Sequence, residues 1–577
     1  MMRVGVLHLV AICLHLIGIS LGVSAQQDIP KDYFRNPLDV PINLSGNFGE
    51  LRTNHFHAGI DIKTMQQEGL KVYAAADGFV SRIKVSPVGY GYALYIDHPN
   101  GYTSVYGHLK SYSAKIDEYV KREQYRLKSF SVDLFPDSSL LKVTKGEVVA
   151  LSGNTGGSGG PHLHFEIRET KSEKIINPLL FGFDVKDNIK PSVSGIWLVP
   201  MTDSTWINNG RVPVRYETAG SAGAVKLKST TVPKVYGEVG FAIHTSDALD
   251  GNANRCGIYR IELWVDGIQV YGQRMDKLDF TTNRAMNAHT IYERFKKERS
   301  QIHGSYRLPG NPLDIYDNLV DDGIVRFKDG KRHKVDYVVV DLMGNRSSVS
   351  FEVDALTKAS GPAPKAGSYL AVWDWEKDNE YKNDKVRIQM PALNLYEDLN
   401  LTITEGKEIA GAVTSTYKIA SPYEPVHGKY TLSLNASKVS SQLASKAVVA
   451  RWDPDKQKII SEGGVYENGW VTANPMYLGY FALMIDTVKP GIQPVDFAAS
   501  MKGKATFTFK IYDGLSGVDQ IIPKIDGEWA LMEYDAKTNR LVYYFDKRFI
   551  QPGKHSFELT VIDAVGNQRV YKSDFVY

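Results

Sequence analysis

The sequence predicts a mainly β chain. Three observations carry that reading: 50 glycines and 33 tyrosines in 577 residues, short alternating apolar runs broken by turn words, and an internal repeat whose copies close on such runs. Hydrophobic residues make up 43% of the chain, enough for packed cores, and the length suggests about three to four domains. A net charge of +3 from 68 basic and 65 acidic residues gives no footing for nucleic-acid or anionic-membrane binding.

The chain opens on Met1-Met2-Arg3, an apolar stretch from Val4 to Leu21, and Val23-Ser24-Ala25. These are the three regions of a signal peptide cleaved before Gln26, so residues 1–25 are expected to be removed on export. Retention of the apolar run as an anchor is the alternative. Cys13 lacks the small preceding residue that a bacterial lipoprotein site wants. After cleavage Cys256 stands alone, so no internal disulfide can form and the fold must hold by packing.

Tyr92 to Ile96 and Tyr102 to Tyr106 read as paired strands joined through Asp97-His98-Pro99-Asn100-Gly101, a hairpin signal. The second strand ends at Gly107-His108-Leu109. In the stretch 111–137 that follows, Ile116, Val120 and Leu127 are spaced for one face of a short helix. The run Gly153-Asn154-Thr155-Gly156-Gly157-Ser158-Gly159-Gly160-Pro161 is a turn that delivers the strand His162-Leu163-His164-Phe165-Glu166. It lacks the Lys-Ser/Thr ending of a phosphate loop.

Beyond this region Asp187-Asn188-Ile189-Lys190-Pro191 recurs as Asp486-Thr487-Val488-Lys489-Pro490. Gly257-Ile258 precedes Asp266-Gly267 at the spacing that separates Gly517-Val518 from Asp526-Gly527. His333 precedes Asp341-Leu342-Met343-Gly344-Asn345 as His555 precedes Asp563-Ala564-Val565-Gly566-Asn567. Matched spacing at three places marks a duplicated β-sandwich. The first copy is longer, with extra sequence around Thr281 to Asp317 that includes a charged helical candidate, Ile291 to Arg299. Asp341 and Asp563 read as turn caps, since calcium would want more oxygens than these words show.

Two short words hold ligand candidates: His57-Ala58-Gly59-Ile60-Asp61 and His162-Leu163-His164. A catalytic zinc takes three protein ligands and leaves the fourth position to water. His57, Asp61 and one histidine of the second word make that count. His162 and His164 lie on one strand face, so the other is free for chemistry. His108, at a strand end on a rigid sheet, is placed for proton transfer.

On these words, residues from about Ser45 to Arg168 resemble the lysostaphin and LytM-type zinc metallopeptidases, whose signatures are His-x-x-x-Asp, Gly-His-Leu after a strand, and Pro-His-Leu-His-Phe-Glu after a glycine turn. Val72 to Val80 stands where the family has its early hairpin. The resemblance implies an antiparallel β-sheet peptidase fold, one Zn²⁺ on His57, Asp61 and His164, and His108 and His162 as catalytic histidines. It also implies hydrolysis of peptide cross-links in bacterial peptidoglycan through a metal-activated water. Two other readings are a silent LytM-like regulator of other wall hydrolases and a secreted peptidase for glycine-rich proteins. The insertion at 111–137, longer than compact members need, reads either as a plain surface excursion or as a wall of the substrate groove. His55 lacks a motif partner, His98 reads as a turn residue and Glu166 as support for the site. Arg52 is left between substrate and sheet.

The expected organisation is a signal peptide at 1–25, the peptidase domain at 26–185, a β-sandwich with insertion at 186–355, a linker at 356–367, a β-rich domain at 368–485 and a second sandwich at 486–577. The sandwiches resemble bacterial immunoglobulin-like modules. They are expected to serve as a spacer or to attach the enzyme to the wall or an envelope partner, with no membrane span after signal cleavage.

Overall fold

Alternation builds the first sheet. In the computed structural model, which describes residues 29–577 apart from 222, 252–253, 362–366 and 407, its antiparallel strands are β1 (Leu44–Gly46), β2 (Ile60–Lys63), β3 (Gly78–Val85), β4 (Tyr92–Asp97), β5 (Tyr102–Tyr112), β6 (Lys142–Val143), β7 (Val148–Ser152) and β8 (His162–Glu169). The main path runs β1-β2-β8-β5-β4-β3-β6, with β7 pairing β5 from the side. The expected signal peptide and residues 362–366 of the expected linker lie outside the described residues.

Two pairings fix the site. On β8, His164 lies opposite Asp61 of β2 on one side and Gly107 of β5 on the other. Because strand side chains alternate, Ile60, Ile62, Leu163, Phe165 and Ile167 enter the core beneath, while Asp61, His162, His164 and Glu166 share the opposite face.

Helix α1 (Ala114–Leu127) forms within the insertion. It buries Ile116, Val120 and Gln124, and Leu127 is exposed. Gln124 follows Val120 by four positions and so completes the buried stripe that Leu127 was expected to extend. Its amide stays satisfied by donating to the Phe130 carbonyl at 2.6 Å. Tyr125 stacks on Phe549 at 3.9 Å and meets the edge of Trp529 at 5.3 Å, so the helix receives the last sandwich.

Residues 192–355 form a sandwich whose two faces share one core, with Ile196, Val239 and Phe241 against Leu263, Tyr337 and Val349. Between 371 and 485 two five-stranded sheets enclose a further core. From 491 to 576 two four-stranded sheets enclose an aromatic one built on Phe507, Phe509 and Phe557. The repeated words occupy equivalent places. Asp266-Gly267 and Asp526-Gly527 have φ of 50° and 82°, and 52° and 83°, as two-residue hairpin turns require. His333 and His555 reach the turn aspartates through Nδ1 at 2.7 and 2.6 Å.

The first sandwich joins the first sheet through a common core. Phe48, Leu51, Phe56 and Ala58 pack with Met275, Leu278, Met286 and Phe295, the last two from the extra sequence of the longer copy. Tyr292–Glu298 is helical there. The Asn47 side chain accepts from Gly257 N at 2.6 Å and donates to Gly257 O at 3.0 Å.

Candidate metal centre

His57, Asp61 and His164 meet at one point. His57 Nε2 lies 3.0 Å from Asp61 Oδ1 and 3.2 Å from His164 Nδ1, and His164 Nδ1 lies 2.8 Å from the same carboxylate oxygen. Four ligands held about 2.0–2.1 Å from a tetrahedral zinc stand roughly 3.3 Å apart, close to this spacing. The outward atoms are already committed. His57 Nδ1–H donates to the Asn47 carbonyl at 2.7 Å, and His164 Nε2–H donates to Glu166 Oε1 at 2.9 Å. Both imidazoles therefore turn their second nitrogen inward, toward one point that a cation can occupy. Arg52 donates to Asp61 Oδ2 at 2.8 Å and to Glu50 Oε2 at 2.9 Å. Its role is to hold the ligand carboxylate so that Oδ1 faces the site.

His108 reaches the site through a bulge. Opposite the single residue Ala93, β5 carries both Gly107 and His108 between the pairs Leu94↔Tyr106 and Tyr92↔Leu109. A straight strand would send His108 to the core side with Tyr106. The extra residue gives that place to Leu109 and turns His108 over the His57, Asp61 and His164 group, at a φ of 57°. Its ring centroid is then 4.8 Å from that of His162 and 5.9 Å from that of His164.

The glycine turn orients both of these histidines. His108 Nδ1–H donates to the Thr155 carbonyl and His162 Nδ1–H to the Gly160 carbonyl, each at 2.8 Å. Each Nε2 is left to the site, with that of His162 3.4 Å from Asp61 Oδ1. Gly156, at φ 67°, lies so close to the loop beneath that a Cβ would sit 2.3 Å from Gly91 N and 2.4 Å from Gly89 O. Gly156→Ala is expected to cost ~1–3 kcal/mol in urea unfolding and to lower activity while metal content stays constant, because the two histidines lose their clamp. On the outer side of the turn, Lys537 of the last sandwich donates to the carbonyls of Asn154 and Ser158, the latter at 3.2 Å.

Electrostatics follow from these contacts. Burial opposes charge on Asp61, but the His57 charge and hydrogen bonds from His162 and His164 hold it well below the usual carboxylate range. Burial also opposes charge on His164, but Asp61 and Glu166 outweigh it and raise the pKa to about 9. Burial, then the neighbouring charges of His164 and His162, push His108 down to about 3.

Tyr90 is a residue that sequence reading missed. It stacks on the His164 ring at 5.0 Å and donates its hydroxyl to Glu166 Oε1. Glu166 Oε2 accepts from Arg168 Nε at 2.7 Å. The only signal was a tyrosine between two glycines, which in isolation reads as a turn. Glu166 supports the site as expected. Glu166→Gln is expected to weaken zinc binding about 10- to 100-fold in chelator competition. His55 turns away to the Thr53 carbonyl, and His98 ties the hairpin turn to Asp77 O and Ser104 Oγ.

The fold and this face define a metallopeptidase-type domain at the start of the chain. Residues 55–125 match Peptidase family M23, and this unit is an M23 (LytM-type) peptidase domain. Residues 371–486 match the Zu5-like domain. The chain is 31% identical over 159 residues to an uncharacterized metalloprotease of Haemophilus influenzae, covering 26% of this chain and 28% of that one. It is 35% identical over 118 residues to DD-carboxypeptidase/endopeptidase Mpg of Neisseria meningitidis, covering 20% and 21%. It is 31% identical over 145 residues to peptidoglycan DD-endopeptidase ShyA of Vibrio cholerae, covering 24% and 28%. The similarity thus spans between a fifth and three tenths of these relatives. Among solved structures, a zinc containing peptidase from Vibrio cholerae is similar at 25% identity and a TM-score of 0.20, covering 27% of this chain and 41% of that one. The catalytic domain of lysostaphin from Staphylococcus simulans is similar at 22% and 0.18, covering 23% and 87%.

Proposed function

We propose that this protein is an exported zinc metalloendopeptidase that hydrolyses peptide cross-links of bacterial peptidoglycan. The observation that carries the reading is the convergence of His57 Nε2, Asp61 Oδ1 and His164 Nδ1 within 3.2 Å. Each of these side chains has its outward atom fixed by Asn47, Arg52 or Glu166. One carboxylate and two neutral imidazoles leave a bound divalent ion with net positive charge. Zn²⁺ there supplies a Lewis acid and lowers the pKa of its water toward ~7. His108 and His162 present Nε2 to the same space. They orient the attacking water, take its proton and deliver it to the leaving amine. The substrate class is drawn from the wall-peptidase names of the relatives. Export and envelope location follow from the N-terminal sequence, and among the described residues no helix is long and apolar enough to cross a membrane.

The decisive experiment incubates the purified protein with peptidoglycan sacculi and identifies soluble muropeptides by mass spectrometry, with metal measured on the same sample. Zinc near one equivalent and cleaved cross-links are expected. Absence of both would favour the regulator, and cleavage of glycine-rich protein without muropeptide release the third reading. A calorimetric result follows from the site itself. His164 holds a proton at pH 7 before metal enters, and Nδ1 must shed it to bind. Zinc uptake by the metal-free protein is therefore expected to release about one proton, seen as a dependence of binding heat on buffer ionisation enthalpy.

A further inference from the structure

Away from the histidines, three aspartates that are distant in sequence meet where the first sandwich joins the peptidase domain. Asp187 follows the last core residue of that domain, Asp247 ends the long strand Lys234–Ala248, and Asp341 opens the closing turn. One carboxylate oxygen from each lies within 4.8 Å of the others. Oxygens bound 2.3–2.6 Å from a single calcium ion stand at most about 5 Å apart, so all three can reach one centre. They line a cavity of about 20 Å³ walled on the far side by Asn47 and Asn177, room for about one water-sized sphere.

Asp247 separates this group from an ordinary capped turn. Asp341 accepts from Asn345 N and Nδ2 at 2.8 and 2.7 Å, and Asp187 accepts from Ile189 N at 3.0 Å. Asp247 is 4% exposed, and among the described residues its Oδ1 accepts no hydrogen bond. The charged side chains acting on it are Asp187 and Asp341, of its own sign, and burial followed by Asp187 pushes its carboxyl up to about 8. A buried carboxyl oxygen without a partner is costly, and a cation that meets it would both satisfy the oxygen and restore its charge.

The same construction recurs in the second copy. Asp486, Asp513 and Asp563 bring oxygens within 4.8 Å of one another. Asn567 holds Asp563 and the Asp486 carbonyl just as Asn345 holds Asp341 and the Asp187 carbonyl. Asp513 Oδ1 is again buried without a partner among the described residues. The trio is a property of the module and not of one junction.

We propose that Asp187, Asp247 and Asp341 bind a hard divalent cation of the calcium class, which ties together the entry, long strand and closing turn of the first sandwich. The donor set is all oxygen, as calcium takes and as zinc and copper sites rarely use. Second oxygens of the carboxylates and water entering beside the half-exposed Asp187 would complete the shell. This inference does not depend on hydrolysis.

Its test is calcium titration of the full chain after chelation, by isothermal calorimetry at pH 7, for wild type, Asp247→Asn and Asp187→Asn. Far-UV circular dichroism checks folding, and the half-exposed Asp187 supplies the second variant should Asp247→Asn not fold. Each variant is expected to take up one calcium equivalent fewer than wild type. In EGTA at pH 9, where all three carboxylates are ionised, Asp247→Asn is expected to melt above wild type, because one of three crowded like charges is gone. A carboxylate that merely caps a turn would give the opposite shift. Equal calcium uptake by wild type and both variants, or no saturable uptake by wild type, overturns the proposal. Saturation by Mg²⁺ at lower concentration than Ca²⁺ overturns the calcium assignment.

Discussion

His164→Ala is expected to remove bound zinc and hydrolysis together. The remaining donors, His57 Nε2 and Asp61 Oδ1, offer two of the three protein ligands that a catalytic zinc takes. The change also takes one donor from the fully buried Glu166, whose Oε1 keeps the Tyr90 hydroxyl and whose Oε2 keeps Arg168. The loss in rate should exceed the ~10²- to 10⁴-fold that a missing acid/base group gives. Metal content by atomic emission and turnover of a cross-linked muropeptide, measured on one preparation, check it. A variant that keeps zinc and cuts, or that cuts without zinc, would remove His164 from the ligand set.

His108→Ala and His162→Ala are expected to behave differently. Each should lower kcat by about 10²- to 10⁴-fold and leave one equivalent of zinc bound, since neither ring supplies a donor to the trio. Their rings lie 4.8 Å apart and are held by carbonyls of one turn. Because they serve one proton path, the double variant should lose less than the product of the single losses. His108 stays neutral at neutral pH, held near 3 by burial and its neighbours, and so can offer Nε2 to orient a water without adding charge to the site. Zinc lost in proportion to activity in either variant would turn these residues into ligands.

Much of this site was legible because strand parity is local. The spacing of His162 and His164 put both on one face, and β8 bears that out with His164 opposite Asp61. The hairpin through Asn100-Gly101 formed as read. What escaped the sequence depends on partners distant along the chain. Arg52 was poised between substrate and sheet, and the pairing of Leu51–Arg52 with His55–Phe56 brings it to Asp61. Nothing adjacent to Tyr90 announces Glu166. The helix stripe was extended to Leu127 because an apolar residue was preferred to Gln124, whose amide has an acceptor six residues on. Nothing in the insertion announced its partner, and Tyr125 meets Phe549, more than four hundred residues later. Asp341 looked short of oxygens because the sequence offered it without Asp187 and Asp247.

One asparagine links two parts of the chain that composition would separate. Asn47 offers its carbonyl to His57 and its amide to Gly257, so the imidazole that grips the ion is aimed by a residue anchored in the neighbouring module. A chain trimmed after Val185 would keep every side chain of the hydrolytic centre and forfeit the strut behind one of them. Catalytic measurements on such a fragment would describe a looser instrument than the intact protein.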